Sequence, residues 1–215
     1  MTDRPIIFSA PMVHALLAGR KTQTRRVLSN APHEGDWHCD RADTSSGYRF
    51  VATPGAPSLP CPLPYAIGDR LYVRESWSHT GDGVWEISSA RMVGRSGVVY
   101  AADGRLAGAK YWPSIHMPRE FSRLTLLVTD VRVQRLQDIS QNDAQAEGAP
   151  PSHPSIDVVS RGYGFEDFSR SWFAQLWETL HTKRPKRWED NPWVVAVSFD
   201  VVRGNIDQAR VGEAA

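Results

Sequence analysis

The run Leu71-Tyr72-Val73-Arg74-Glu75-Ser76-Trp77, entered through the turn Gly68-Asp69, alternates with a period of two. On a strand, Leu71, Val73, Glu75 and Trp77 share one face, while Tyr72, Arg74 and Ser76 share the other. A strand of this kind must lay its apolar face on a core. It then carries a carboxylate inward, where an unpaired charge is costly. Glu75 therefore needs a partner or a task, and a chain that keeps it there must build a mixed core around that strand.

The rest of the pattern supplies short strands and short helices in no βαβ rhythm. Arg4 to Phe8 reads as a strand. Ser9 and Pro11 open a helix whose apolar face is Met12, Val13, Leu16 and Leu17, and Gly19 stops it. Val98 to Ala101 is a short strand and Phe121 to Val133 a long one. In the long strand the apolar phase slips from Leu124, Leu126 and Val128 to Val131 and Val133, which predicts a bulge near Thr129-Asp130. Ser140 to Asp143 resembles a capping box for a short helix ending at Gly148. Phe168, Trp172, Leu176 and Leu180 recur every four residues and predict an amphipathic helix with that face inward. Trp193 to Val201 is the last strand. The Pro-, Gly- and Ser-rich stretches near 29–64, 78–97 and 149–164 read as loop insertions, and the chain from 204 to 215 as a flexible tail. The expectation is one α+β domain over 1–203, a mixed β-barrel with flanking short helices.

Composition bounds the partners. With 41% hydrophobic residues and eight Trp in 215, the chain can fill a core. Its 25 basic and 24 acidic residues leave a net charge of +1, so no global basic field draws it to nucleic acid, and any such contact must be local. Two cysteines make no disulfide framework. The N-terminal apolar stretch is too short for a signal peptide and nothing resembles a spanning helix, so no membrane partner and a cytoplasmic location are expected. His33, His38, Cys39 and Cys61 offer zinc-type donors, but their spacing matches no strong pattern, and neither metal nor cofactor is expected.

After the first helix comes Gly19-Arg20-Lys21-Thr22-Gln23-Thr24-Arg25-Arg26. The order strand, helix, Gly-x-Lys-x-x-Thr-x-Arg, strand resembles the signature of ASCH domains in the PUA-like superfamily. The Gly68-Asp69 turn into Leu71 to Glu75 resembles that family's second landmark. Trp112 to Arg119 and Asn191-Pro192-Trp193 are similar to a phage- and prophage-associated branch whose members carry only hypothetical or morphogenesis-related labels. The resemblance implies a PUA-like barrel with a cleft for RNA or a modified nucleoside. Some small members are amidohydrolases of N4-acetylcytidine that use a Lys, a Thr three residues later and a Glu on a following strand. These correspond to Lys21, Thr24 and Glu75. Another member is described as a ribonuclease, so the implied reaction is not unique. A binding-only module and a role in phage assembly also stay open.

Hydrolysis of an N-acyl bond needs a nucleophile, a base and an acid for the leaving amine. Thr24 offers the hydroxyl. Lys21 is the base if burial or Arg20, Arg25 and Arg26 hold its pKa down. Glu75, on its apolar face, is the proton carrier. Alternatively, Lys21 and Glu75 activate water and Thr24 only orients it. Residues three apart on a regular strand face opposite ways, so Lys21 must sit in the turn after Gly19 for the two to cooperate. The bland alternatives are a solvated basic edge strand and, for Glu75, a buried salt bridge with an arginine such as Arg26. Arg20, Arg25, Arg26, Arg74, Trp77, Trp112, His116 and Trp193 complete the expected contacts to base or phosphate, with the Trp rings as stacking platforms or simply as core. Lys183, Arg184, Lys186, Arg187 and Trp188 form either a phosphate-contacting loop or an ordinary exposed connection.

Overall fold

A computed structural model describes residues 2–32, 36–41, 47–52 and 58–208. In chain order they form β1 (Asp3–Ile7), α1 (Ala10–Leu17), β2 (Gln23–Val27), β3 (His38–Arg41), β4 (Tyr48–Val51) and β5 (Leu59–Cys61). Then come β6 (Arg70–Arg74), β7 (Trp77–His79), α2 (Ile87–Val93), β8 (Val98–Tyr100) and β9 (Leu124–Arg135). The chain continues through α3 (Gln141–Ala146), α4 (Pro154–Gly162), α5 (Phe168–Leu180) and β10 (Trp193–Arg203). The chain's contacts gather into two compact units. One is Met1–Thr22, Ile67–Thr129 and Phe199–Ala215; the other is Gln23–Ala66 and Asp130–Ser198.

In the first unit β1 runs parallel to β6, with Ile6 opposite Val73. On its other side β6 runs antiparallel to the first half of β9, with Leu71 opposite Leu126. The end of β10 follows β9 in the strand order, and Gly204 donates to the Arg123 carbonyl at 2.9 Å where the two strands part. The alternation of the β6 run is realised: Leu71, Val73, Glu75 and Trp77 are all buried. Strand pairing stops at Arg74, so Glu75 and Ser76 lie between β6 and β7. Trp77 exchanges backbone hydrogen bonds with Trp112 and stacks on it at 4.6 Å between ring centroids. With Ala90, Met117 and Phe121 they form this unit's aromatic core. Truncation of a ring so placed costs about 3–5 kcal/mol.

In the second unit β2 pairs antiparallel with the first half of β10, Thr24 opposite Val197 and Val27 opposite Val194. β3, β4 and β5 make a separate three-stranded antiparallel sheet. Phe50 of β4 is buried and lies 5.1 Å from Trp193. A helical core of Leu136, Ile139, Ala144, Phe173 and Trp177 packs with Val194.

The α+β class stands, but among the described residues the strands form open sheets, not the expected closed barrel. Three further expectations need correction. The stretches near 29–64, 78–97 and 149–164 are not only loop: they hold β3–β5, α2 and α4, and Pro154 takes the first turn of α4, where its missing N–H costs nothing. The buried residues of α5 are Ser169, Ser171, Phe173, Ala174 and Trp177, whereas Leu180 is half exposed. The segment expected to fray from Gly204 is held at its start, because Asn205 Nδ2 donates to the carbonyls of Arg119 and Ser122, both at 2.9 Å, and Ile206 is fully buried.

Candidate functional site

Lys21 owes its position to the end of α1. Gly19 adopts φ +69°, the left-handed conformation that glycine tolerates best. The Gly19 N–H then bonds the Leu16 carbonyl and the Arg20 N–H bonds the Ala15 carbonyl, which closes the helix in a Schellman turn. The Lys21 N–H also reaches the Ala15 carbonyl, at 3.1 Å. Lys21 thus sits in the turn after Gly19, before β2 begins at Gln23. Its side chain is 1% exposed, with Nζ 5.7 Å from the centre of the Phe8 ring. Thr24 is buried on β2 in the second unit.

Glu75 is also 1% exposed, and its cation is Arg123 rather than Arg26. Arg123 Nε donates to Oε1 at 2.8 Å and Nη2 to Oε2 at 3.0 Å, a two-pronged pair. The third edge of the same guanidinium, Nη1, donates to Asp103 Oδ2 at 2.7 Å. Its flat face rests on Tyr100, 3.9 Å from the ring centre. Tyr100 is anchored in turn, its hydroxyl donating to the Phe121 carbonyl at 2.9 Å. Burial pushes the Glu75 carboxyl above its ordinary value, while Arg123 pulls it back. Burial also raises the Tyr100 phenol. The network therefore runs from half-exposed Asp103 inward to a carboxyl with almost no water.

Arg123, Asp103 and Tyr100 are absent from any motif. The one hint is a cation in the apolar frame Phe121-Ser122-Arg123-Leu124, at the mouth of a buried strand.

The remaining expected contacts scatter. Arg20 is exposed. Arg25 is buried in a structural ion-pair group, with Nη1 donating to Gln23 Oε1 at 2.6 Å and to Glu147 Oε1 at 3.2 Å and Nη2 3.1 Å from Asp143 Oδ2. Gln23, Glu147 and Asp143 gather around the buried guanidinium, so Arg25 is a core element of the second unit. Arg74 Nε donates to the Met117 carbonyl at 2.8 Å. Trp77 is enclosed on all sides and Trp112 nearly so, which leaves neither with a face for a base. Trp193 is 7% exposed and covered by the Arg135 guanidinium, 4.3 Å from its ring. His116 is exposed on a 3-10 turn. Arg187 is neutralised by Asp190 and Glu189, and Trp188 packs toward Phe173, so this loop offers less free positive charge than its sequence does.

Arg26 is half-buried and lines a cavity of about 440 Å³ in the second unit with Ser29, Asn30, Leu63 and Tyr65. A second cavity of about 240 Å³, in the first unit, is lined by His79, Asp82, Trp85 and Lys110. Of the four zinc-type donors, His33 lies outside the described residues. His38 faces Asp40 at 3.6 Å. Cys39 and Cys61 are free thiols that hydrogen-bond one another, which raises the proton affinity of Cys39 and lowers that of Cys61. No helix among the described residues is long and apolar enough to cross a membrane.

No family model matches the chain, and no curated protein matches it. Among solved structures it is similar to protein EF3133 from Enterococcus faecalis V583, of the DUF984 family. That likeness has 13% identity and a TM-score of 0.42 over 98% of this chain and 86% of the other. A likeness that distant carries no argument about fold or role.

Proposed function

We propose that this chain is an amidohydrolase of N-acylated nucleosides of the N4-acetylcytidine type, built on the ASCH-like motif of Lys21, Thr24 and Glu75. One observation carries the reading: the motif's two ionisable groups, separated by more than fifty residues, are both withdrawn from water in the same unit. Burying an amine and a carboxyl is expensive, and catalytic sites are where such expense is commonly found. In this reading Lys21 takes the proton of the attacking hydroxyl, from Thr24 or from water that Thr24 orients. Glu75, its proton affinity raised by burial, passes a proton to the departing exocyclic nitrogen. The acyl C–N bond breaks and the free amine leaves. Where water attacked, acetate forms at once; where Thr24 attacked, the acyl group stays on its hydroxyl as an ester until a water deprotonated by Lys21 hydrolyses it to acetate and restores Thr24.

The test is hydrolysis of N4-acetylcytidine followed by chromatography of the cytidine released. Wild type is expected to turn over, and Lys21→Ala and Glu75→Gln to lose turnover while circular dichroism shows each variant still folded at the assay temperature. Equal turnover in wild type and both variants rejects the assignment.

A binding-only role for RNA or a modified base is favoured by a different observation, the cavity where Arg26 meets Ser29, Asn30 and Tyr65. A cation, hydrogen-bonding groups and an aromatic ring suit a nucleotide. Binding of this kind falls steeply with added salt and with Arg26→Ala, and salt-independent affinity counts against it.

A further inference from the structure

We propose that Asp103 is a positioning residue that sets the proton affinity of Glu75 from the protein surface, acting through the Arg123 guanidinium that the two carboxylates share. The geometry makes Arg123 a bridge between the two carboxylates. Two of its N–H groups grip Glu75 at 2.8 and 3.0 Å, a third grips Asp103 at 2.7 Å, and the ring of Tyr100 closes one face. Arg123 cannot turn toward one carboxylate without leaving the other. At Glu75 the negative charge of Asp103 therefore opposes the field of the cation that both carboxylates share.

The burial gradient gives the bridge a direction. The Glu75 side chain is 2% exposed, Arg123 18% and Asp103 53%. Asp103 is thus the member that solvent, salt or a ligand can reach, while Glu75 is the member for which a small change of field matters most. The groups that act on Glu75 come from every element around it. Arg123 precedes β9, Asp103 stands in the 3-10 turn Ala101–Asp103, and His14 is on α1, which packs against that turn. Tyr100, at the end of β8, feels the Glu75 charge as well. Among these, Arg123 and His14 favour the ionised carboxyl, and burial and Asp103 favour the protonated one. Asp103 therefore works in the same direction as burial, keeping a proton on Glu75 at higher pH than the Arg123 pair alone would allow.

The electrostatic claim stands apart from the proposed hydrolase activity; only its use in catalysis rests on that reading. The experiment is carbon-13 NMR of the full chain labelled at glutamate carboxyls, with Glu75→Gln identifying the Glu75 resonance by its loss. Asp103→Asn is expected to move the Glu75 midpoint to lower pH, and Arg123→Gln to move it to higher pH. Asp82→Asn, an exposed carboxylate on another loop, is expected to leave it in place. A midpoint unmoved or raised by Asp103→Asn overturns the proposal, as does an equal shift from Asp82→Asn. If Arg123→Gln does not fold, the two aspartate variants still decide. Where N4-acetylcytidine is hydrolysed, the Glu75-dependent limb of kcat/KM shifts down in pH with Asp103→Asn. Where no turnover exists, the hydrolase reading fails and the titration result remains.

Discussion

Replacing Arg123 by methionine isolates the cost of the carboxylate that the β6 run carries inward. The Glu75 side chain is 2% exposed, so almost no water can replace the lost guanidinium. Removing one member of a buried pair leaves an uncompensated charge and costs about 3–5 kcal/mol. Against a typical total of about 5–15 kcal/mol, that is a severe loss. The cost should depend on pH in a defined way. Without Arg123 the folded-state pKa of Glu75 rises further above its unfolded value near 4.5. Below that unfolded value the carboxyl is protonated in both states and the charge penalty vanishes. As pH rises, the unfolded chain releases its proton first, so stability falls until the folded-state pKa is passed and the full penalty is reached. Urea unfolding near neutral pH and at about pH 4 measures both limits. Adding Glu75→Gln to Arg123→Met removes the stranded charge. The double variant should then recover most of the loss, leaving about 1–2 kcal/mol for the guanidinium stacked on Tyr100 and for the half-exposed Asp103 pair. A single variant that costs under about 1 kcal/mol, or a penalty that does not change between the two pH values, would mean that the buried Glu75 carboxylate does not depend on Arg123.

Two further outcomes test the frame around the site. Gly19→Ala forces a Cβ into φ +69°, with no atom within 4 Å of the new carbon, so the expected loss is the conformational cost alone, about 1 kcal/mol in the unfolding midpoint. Any larger loss means that the α1 turn bears more than its own strain. Trp177→Ala opens the helical core of the second unit and removes the indole N–H donated to the Lys186 carbonyl at 2.8 Å, so a destabilisation of about 3–5 kcal/mol is expected by chemical denaturation. A loss below about 1 kcal/mol contradicts the packing described here.

Strands with one apolar face were legible because burial acts directly on period-two alternation, and Leu71, Val73, Glu75 and Trp77 carry that pattern without interruption. The phase slip in β9 was legible in part for the same reason: Leu124, Leu126 and Val128 are buried, Thr129 is exposed and Val131 is buried again, whereas Val133 is only half-buried. The face of α5 was not legible, because it is partly made of serines. Ser169 donates to the Pro150 carbonyl at 2.8 Å and Ser171 bonds Ser160 at 3.1 Å, so hydroxyls go inward where hydropathy places them in water. β3, β4 and β5 have three or four residues each, too short for alternation to rise above a Pro- and Gly-rich background. At the site, Glu75 announced itself as an anomaly, but its cation stands 48 residues away and only folding pairs them. Arg25 misled in the opposite sense. Its place in a basic run suggested a ligand contact, while Glu147 and Asp143, over a hundred residues on, make it part of the interior.

The hold on Asn205 and Ile206 decides how far the chain can be shortened. The Asn205 amide occupies the carbonyls of Arg119 and of Ser122, the residue just before Arg123, and the Ile206 carbonyl accepts from Arg70 Nη1 at 3.1 Å, at the foot of β6. Cutting the polypeptide after Arg203 would loosen the segment that aims the guanidinium at Glu75. A protein trimmed there would be a poor specimen for any assay of the buried carboxyl, even if every sheet still formed.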